Sequence, residues 1–308
     1  PAHEKAPGKT AAMKPPAAVQ ARRLKNGGID RTAKLFIAGR QARPDGGYSL
    51  DISGPDGRSI ALVADGNRKD IRNAVEAAAK AESWAKAAAH LRAQILYYTG
   101  ENLSARGDEF AERLRQMTGA TRKQAAGELA ASISRLFAYA AWADKFDGAV
   151  HSPPLRGVAL AMKEPVGIIG IGCPDQAPLL GLVSLIAPAI AMGNRTIVIP
   201  SNPHPLSATD FYQVLETSDV PAGVVNIVSG NRGALMKTLA EHEMVDGVWC
   251  FGDGSESEAV ERASAHSIKR TWVNNGKARD WHHPQQGEGR EFLRQATEVK
   301  NIWIPYGE

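Results

Sequence analysis

The sequence predicts an α/β fold built on a doubly wound, Rossmann-type parallel sheet, with N-terminal helical segments. Three observations support this prediction. The chain has 308 residues of which 43% are hydrophobic, enough for a substantial core. Between residues 165 and 280, short and almost continuously apolar runs occur, which is typical of strands buried on both faces of a parallel sheet. These runs alternate with helical segments, so right-handed crossovers are expected.

The N-terminal part of the globular region, residues 34–150, is predicted to contain hairpin strands followed by helices. The strands come first, because "KLFIAGRQARPDGGYSLDISGPDGRSIALVADG" has short β-rich runs broken by Pro-Asp-Gly-Gly and Gly-Pro-Asp-Gly. A first helix follows, with apolar residues spaced by three and four positions from Ile71 to Ala79. Three more helical segments are predicted at His90–Ser104, Gly107–Thr118 and Arg122–Phe146.

Five strands are predicted within residues 165–280. They are "EPVGIIGIGC", "NRTIVIPS", "GVVNIVSG", "VDGVWCFG" and "KRTWVNNG", and helical segments separate them. The tail adds a short helix and a last strand, Val299 to Ile304, which has no obvious partner in this sheet.

Charge and composition restrict the function classes. The net charge is +4, and its excess lies in the Ala-, Pro- and Lys-rich residues 1–33, which are predicted to form a linker or extended arm. We expect a chain that begins inside a longer protein, located in the cytoplasm, with no membrane or nucleic-acid partner. The run "LLGLVSLIAPAIAM" is too short to span a bilayer. Nucleic-acid binding through the basic tail stays an alternative, and it would show affinity that falls steeply with salt.

The order of several segments resembles the aldehyde dehydrogenase superfamily. They are "KLFIAGR", "EPVGIIGI", "IAPAIAMGNRTIVIPSNPHPLSA", "VPAGVVNIVSG", "VDGVWCFGDGS" and "VKNIWIPYGE". The resemblance runs from about Lys34 to Lys277 and resumes at the C-terminus. It implies the superfamily's fold and NAD-dependent oxidation of an aldehyde to a carboxylic acid.

At the positions that match the superfamily's catalytic residues, this sequence carries different residues. Gln176 stands at the position of the oxyanion-stabilising Asn, and Asp175 replaces a Trp beside it. A carboxylate there would oppose the stabilisation of a developing oxyanion. Val273 stands at the position of the general-base Glu, and valine cannot accept a proton.

The dinucleotide positions are also altered. Ile199 and Asn202 replace the Lys and Glu that hold the adenosine ribose, and Asp253 lies beside the retained Gly252, where a pyrophosphate would approach a helix. Each lost charge-assisted hydrogen bond is worth about 1.5–3 kcal/mol, so we expect no cofactor bound by this chain. We call the residues that stand at the superfamily's cofactor-binding positions the vestigial frame: Ile199, Ser201, Asn202, Gly230 and Gly252.

No catalytic nucleophile is predicted. The C-terminal strand follows Lys277 after about twenty residues, so the superfamily's catalytic domain, which carries the nucleophilic Cys, is absent from this stretch. Cys173 and Cys250 are expected to be buried thiols rather than nucleophiles or a disulfide. His282 and His283 have no partner at metal-ligand spacing, so no metal site is expected.

The superfamily's β-flap, which pairs with another subunit, is retained. It corresponds to residues 151–164 together with 295–308. The residues predicted to form the interaction surface are Val158, Leu160, Met162, Val299, Ile302, Trp303 and Ile304. An exposed strand edge recruits other strands, although the two segments could also simply pair with each other.

These features together resemble the degenerate second half of the two-half aldehyde dehydrogenases of family sixteen. We therefore predict a non-catalytic domain, inactive alone, that pairs through its flap with a catalytic half or with a second copy of itself. The resemblance implies a dimer. The alternative is an NAD-binding oxidoreductase or a nucleotide sensor with an unconventional site.

Overall fold

The structure is a computed structural model, and it describes residues 22–23, 31–154 and 156–306. In chain order the strands are β1 (Arg22–Arg23), β2 (Leu35–Ile37), β3 (Arg40–Ala42), β4 (Tyr48–Ser53), β5 (Ser59–Ala64), β6 (Ala149–His151), β7 (Gly157–Pro165), β8 (Ile168–Gly172), β9 (Arg195–Ile199), β10 (Val225–Ile227), β11 (Gly247–Cys250), β12 (Arg270–Val273) and β13 (Thr297–Pro305). The helices are α1 (Arg68–Lys80), α2 (Ala89–Ala105), α3 (Gly107–Thr118), α4 (Arg122–Trp142), α5 (Pro178–Ala191), α6 (Leu206–Thr217), α7 (Arg232–Glu241), α8 (Gly254–Ser264), α9 (Pro284–Gly287) and α10 (Arg290–Gln295), with a short 3-10 helix at Glu82–Lys86.

The central sheet has the strand order β12-β11-β8-β9-β10-β2-β3. The five predicted strands, β8 to β12, are parallel to one another, which confirms the α/β prediction. The structure adds two strands that the prediction left outside this sheet. The β2-β3 hairpin joins its β10 edge in antiparallel orientation, with Ile227 opposite Phe36.

Helices cover both faces of this sheet because its side chains alternate between two apolar clusters. Ile169, Ile171 and Val198 point into the larger cluster, which contains α5 and α6 and the helices α2 to α4. Ile168 and Ile197 point into the smaller cluster, which contains α1 and α7. The sheet is therefore doubly wound. Helix α5 is buried along its whole length, which explains why Ser184 is its one polar residue.

Helix α4 ends at Trp142, four residues before the predicted end at Phe146. The backbone N–H groups of Lys145 and Phe146 donate to the Trp142 carbonyl, and the chain then turns into β6. Strand β6 was not predicted, and it occupies the end of a separate three-stranded sheet of order β13-β7-β6, which we call the flap.

The predicted arm at residues 1–33 lies almost wholly outside the described residues. Within it, the backbone of Arg22–Arg23 pairs with β4. Among the described residues, no helix is both long and apolar enough to cross a bilayer.

Candidate functional site

The carboxyl ends of β8, β9 and β11 meet at one edge of the central sheet, where open α/β sheets bind ligands. At this edge a single guanidinium, that of Arg232 in the first turn of α7, is 4% exposed. It donates to Asp175 at 2.6 Å, to Glu256 at 2.9 Å and to the Cys173 carbonyl at 2.8 Å. Burial acts to lower the pKa of Arg232, but hydrogen bonds and charge pairing with the two carboxylates raise it above its ordinary value. Arg232 is thus a fixed cation with two fixed counter-ions.

The loop after β9 is tied to the same cluster. Asp175 accepts hydrogen bonds from the Ser201 hydroxyl at 3.1 Å and from the Asn202 backbone N–H at 3.2 Å. The Asn202 side-chain oxygen accepts from the Arg232 backbone N–H at 3.1 Å. Two positions of the predicted vestigial frame therefore bind protein groups. Ile199 is fully buried, and Gly230 has a positive φ of 152° just before α7.

The start of α8 is closed by its own carboxylates. Asp253 caps the helix and accepts from the Glu256 N–H, while Glu256 accepts from the Asp253 N–H, which is a capping box. A Cβ built on Gly252 would overlap the Glu256 carboxylate. Hydrogen bonds from Ser255 and from the Glu256 backbone lower the pKa of Asp253. The end of the helix that would attract a phosphate is already occupied by negative charge.

The start of α5 is closed in the same way from a different helix. A buried carboxylate of α4, Glu128, accepts from the backbone N–H groups of Leu179 and Leu180 at 2.9 and 3.2 Å. Burial raises the pKa of Glu128, and these two hydrogen bonds partly oppose that rise. The residues present at both helix starts do not fit the phosphates of a dinucleotide.

The positions predicted to have lost catalytic groups lie around this edge. Gln176 is exposed, and Val273 is half-buried at the end of β12. Cys173 and Cys250 are free and fully buried, as expected of core thiols. Burial raises the pKa of the Cys250 thiol to about 11 and that of Cys173 further, so neither is a thiolate at neutral pH.

The segment after Lys277 folds back on the larger core and forms what we call the clasp, residues 278–296. The buried guanidinium of Arg135 on α4 holds it, donating to the carbonyls of Trp281 and Gly287 and to the Glu288 carboxylate at 3.0 Å. The buried Trp281 packs edge-on against Phe251, 5.3 Å between ring centroids. The clasp therefore covers the β12 side of the sheet. Aromatic rings fill the space beneath it, and Arg135 binds its buried carbonyl groups. Its His282 and His283 are exposed, and the described residues contain no group of three His, Cys, Asp or Glu side chains that could hold a metal ion.

The flap contrasts with these closed sites. Strand β13 pairs with β7 over nine residues, from Thr297 opposite Pro165 to Pro305 opposite Gly157. The two predicted segments thus pair with each other within the chain, and the outer edge of β13 has no strand partner in the described part of the chain. Of the predicted interaction residues, Val158 and Leu160 are half-buried, and the exposed ones are Met162, Val299, Ile302, Trp303 and Ile304.

Sequence reasoning missed the side chains that close the sheet edge. Arg232, Glu256, Glu128 and Arg135 were not singled out. Asp253 and Glu256 at capping-box spacing were a usable signal for α8. No local signal pairs Arg232 with Asp175, because they are 57 positions apart.

Comparison with known proteins places this arrangement in a family. Residues 48–278 match the profile described as the Aldehyde dehydrogenase family. A 2-hydroxymuconic semialdehyde dehydrogenase of Pseudomonas putida is 31% identical over 254 residues, covering 79% of this chain and 52% of that protein. A cytosolic 10-formyltetrahydrofolate dehydrogenase of Mus musculus is 29% identical over 253 residues, covering 79% of this chain and 28% of that protein.

Solved structures show the same likeness. A mutant aldehyde dehydrogenase from Bacillus cereus superposes with a TM-score of 0.76 at 25% identity, over 79% of this chain and 50% of that one. A betaine aldehyde dehydrogenase from Staphylococcus aureus, solved with NAD+, has a TM-score of 0.75 at 23% identity, over 78% and 49%, which shows the fold alone. The chain spans about half the length of most of these relatives.

Proposed function

This chain belongs to the aldehyde dehydrogenase family, and we propose that it is a non-catalytic member whose flap pairs with the catalytic half of an NAD-dependent aldehyde dehydrogenase. The parent reaction is the oxidation of an aldehyde to a carboxylic acid, and NAD belongs to the catalytic half. The role of this chain is structural, as the degenerate half of a two-half protein.

The flap is the observation that carries the proposal. The outer edge of β13 has no partner within the described residues, and Trp303 on this strand is 60% exposed. Val150 on β6, at the other end of the flap, is 70% exposed. Contiguous apolar surface next to an open strand edge is typical of a protein interface, because both features are costly in water.

The closed sheet edge supports the non-catalytic half of the proposal. Carboxylates fill the starts of α5 and α8, and Arg232 is bound by Asp175 and Glu256 rather than free for an anion. No proton acceptor stands at Val273, and both thiols are buried and protonated. Val273 and two buried thiols are a poor basis for an acyl-transfer step through a cysteine, which needs an accessible nucleophile and a base beside it.

Three tests bear on the proposal. Calorimetric titration of the purified chain with millimolar NAD is expected to give no binding heat, and micromolar affinity would instead establish a nucleotide-binding domain. The coding sequence around this chain is expected to contain a second family segment with a Cys nucleophile and a Glu-Leu-Gly-Gly-Lys motif. A complex between that segment and this chain, lost on flap substitution, is the result that supports the assembly role.

A further inference from the structure

A cleft of about 570 Å³ lies between the flap and the body of the protein. Its lining comes from the turn after α4, from the three strands of the flap and from helix α10 of the clasp. The residues that close the carboxyl edge of the central sheet are not part of this lining. The volume falls within the range of small-molecule sites, about 300–1,000 Å³. The cleft is therefore large enough for a ligand that carries several functional groups.

Four cationic side chains from separate parts of the chain line this cleft. They are Lys145 in the turn after α4, Lys163 on β7, and Arg290 and Arg294 on α10. Asp147 is the one carboxylate among the described residues of the lining. Cations that share a cleft add their potentials, and the low-dielectric walls focus the resulting field. The cleft is therefore expected to attract anions.

In the part of the chain that the structure describes, these four cations form no ion pair. Two of them lie over aromatic rings instead. The Lys163 ammonium is 5.5 Å from the ring centroid of Phe146, and the Arg290 guanidinium is 5.2 Å from that of Trp142. A ring face holds a cation in place without neutralising its charge. By contrast, the guanidinium of Arg232 has two carboxylate partners. The charge of the cleft is therefore available to a ligand.

We propose that this cleft binds a small polyanion, a molecule that carries two or more phosphate or carboxylate groups. Arg290 and Arg294 offer guanidinium forks whose paired N–H donors match the oxygens of either group, and the two lysines add ammonium donors. An anion with a single charge would leave most of the four cations uncompensated, so affinity is expected to rise with the charge of the ligand. This inference goes beyond the proposed assembly role and does not depend on it.

The test titrates the full chain with pyrophosphate, citrate and acetate in a calorimeter at constant ionic strength. Pyrophosphate and citrate distinguish a phosphate ligand from a carboxylate ligand, and acetate is the control with a single charge. At least one of the two polyanions is expected to bind with a dissociation constant on the order of 1 mM, because exposed charge pairs are individually weak. Acetate is expected to bind at least about tenfold more weakly. The affinity of the polyanion is expected to fall as sodium chloride is added, because salt screens the cations.

The double variant Lys145→Gln/Arg294→Gln removes two cations from the cleft, and it is expected to weaken polyanion binding about tenfold. The matched control is Arg122→Gln/Lys123→Gln, which removes one arginine and one lysine at the other end of α4, about 30 Å from Trp142 along the helix axis. The affinity of this control is expected to stay at the wild-type value. All four positions are exposed, so both variants are expected to fold, and urea denaturation checks this.

The proposal is overturned if neither pyrophosphate nor citrate binds, or if acetate binds as tightly as they do. It is also overturned if the cleft variant keeps the wild-type affinity. Equal weakening by both double variants would mean that the net charge of the protein, rather than the cleft, determines the affinity, and this result too contradicts the site. The assembly role is decided separately, by sedimentation of this chain with the catalytic segment.

Discussion

The carboxyl edge of the central sheet and the flap differ in how their groups are paired: the polar side chains of the sheet edge bind one another, whereas side chains of the flap are exposed. At the sheet edge, polar groups from several loops and helices bind one another, and Arg232 is enclosed between Asp175 and Glu256. At the flap, the outer edge of β13 has no strand partner among the residues that the structure describes, and most side chains of β13 are exposed. The difference teaches that one chain can pair the polar groups of a sheet edge internally while it leaves apolar side chains exposed on a second sheet.

The largest expected effect is at Arg232. Replacing it by Met leaves Asp175 and Glu256 without their cation inside the protein, and we expect a loss of about 3–5 kcal/mol in the free energy of unfolding. Urea denaturation followed by tryptophan fluorescence measures it. Arg262→Met, which removes an exposed pair with Glu258, is the control and is expected to cost under about 0.5 kcal/mol. Similar losses in both variants would mean that the sheet edge is not closed by this cluster.

The second largest effect is expected at the clasp, whose polar groups are also bound internally, by Arg135. Arg135→Ala removes the donor to two carbonyls and to Glu288, and we expect a loss of about 2–3 kcal/mol in the free energy of unfolding. Limited proteolysis is expected to cleave within residues 278–296 before the rest of the chain. Cleavage that begins in the flap instead would show that the clasp does not depend on Arg135.

The open side is tested at Trp303. Trp303→Ala is expected to weaken association with the catalytic segment by about 2 kcal/mol, because large aromatic residues dominate interfaces. Its unfolding free energy is expected to change little, since the side chain is 60% exposed. Analytical ultracentrifugation and urea denaturation measure the two quantities. A large change in unfolding and none in association would reverse the roles assigned to the two regions.

The smallest effect is at the α8 cap. Asp253→Ala is expected to cost about 1 kcal/mol at neutral pH. The pKa of Asp253 in the folded protein is lowered from 3.8, so the carboxylate stabilises the fold above that value. Its contribution is lost as the pH falls through the lowered pKa. The difference between wild type and variant, measured by urea denaturation, is therefore expected to vanish in strong acid, and a difference that persists there would rule out the charge as its cause.

The sequence predicts the framework better than the site, for a physical reason. Periods of two and 3.6 residues are local, so β8 to β12 and their helices were found with small errors at their ends. The antiparallel addition of Phe36 next to Ile227 depends on partners 191 positions apart, and no periodicity encodes it. The same holds for Arg232, which looks like an ordinary surface arginine at a helix start. The departures that the resemblance implies at Val273 and Gln176 are visible in the sequence, whereas the ion pairs of Arg232 with Asp175 and Glu256 are not.

Gly252 now carries a different constraint from the one its motif suggests. Its missing Cβ is the space that the Glu256 carboxylate uses beside Arg232. Positions 252 and 256 are therefore interlocked: before a larger residue fits at 252, the Glu256 carboxylate has to leave its place beside Arg232, by rotation or by substitution with a shorter residue. A library that varies positions 252 and 256 one at a time would reject viable pairs, so redesign of this edge has to change the two positions together.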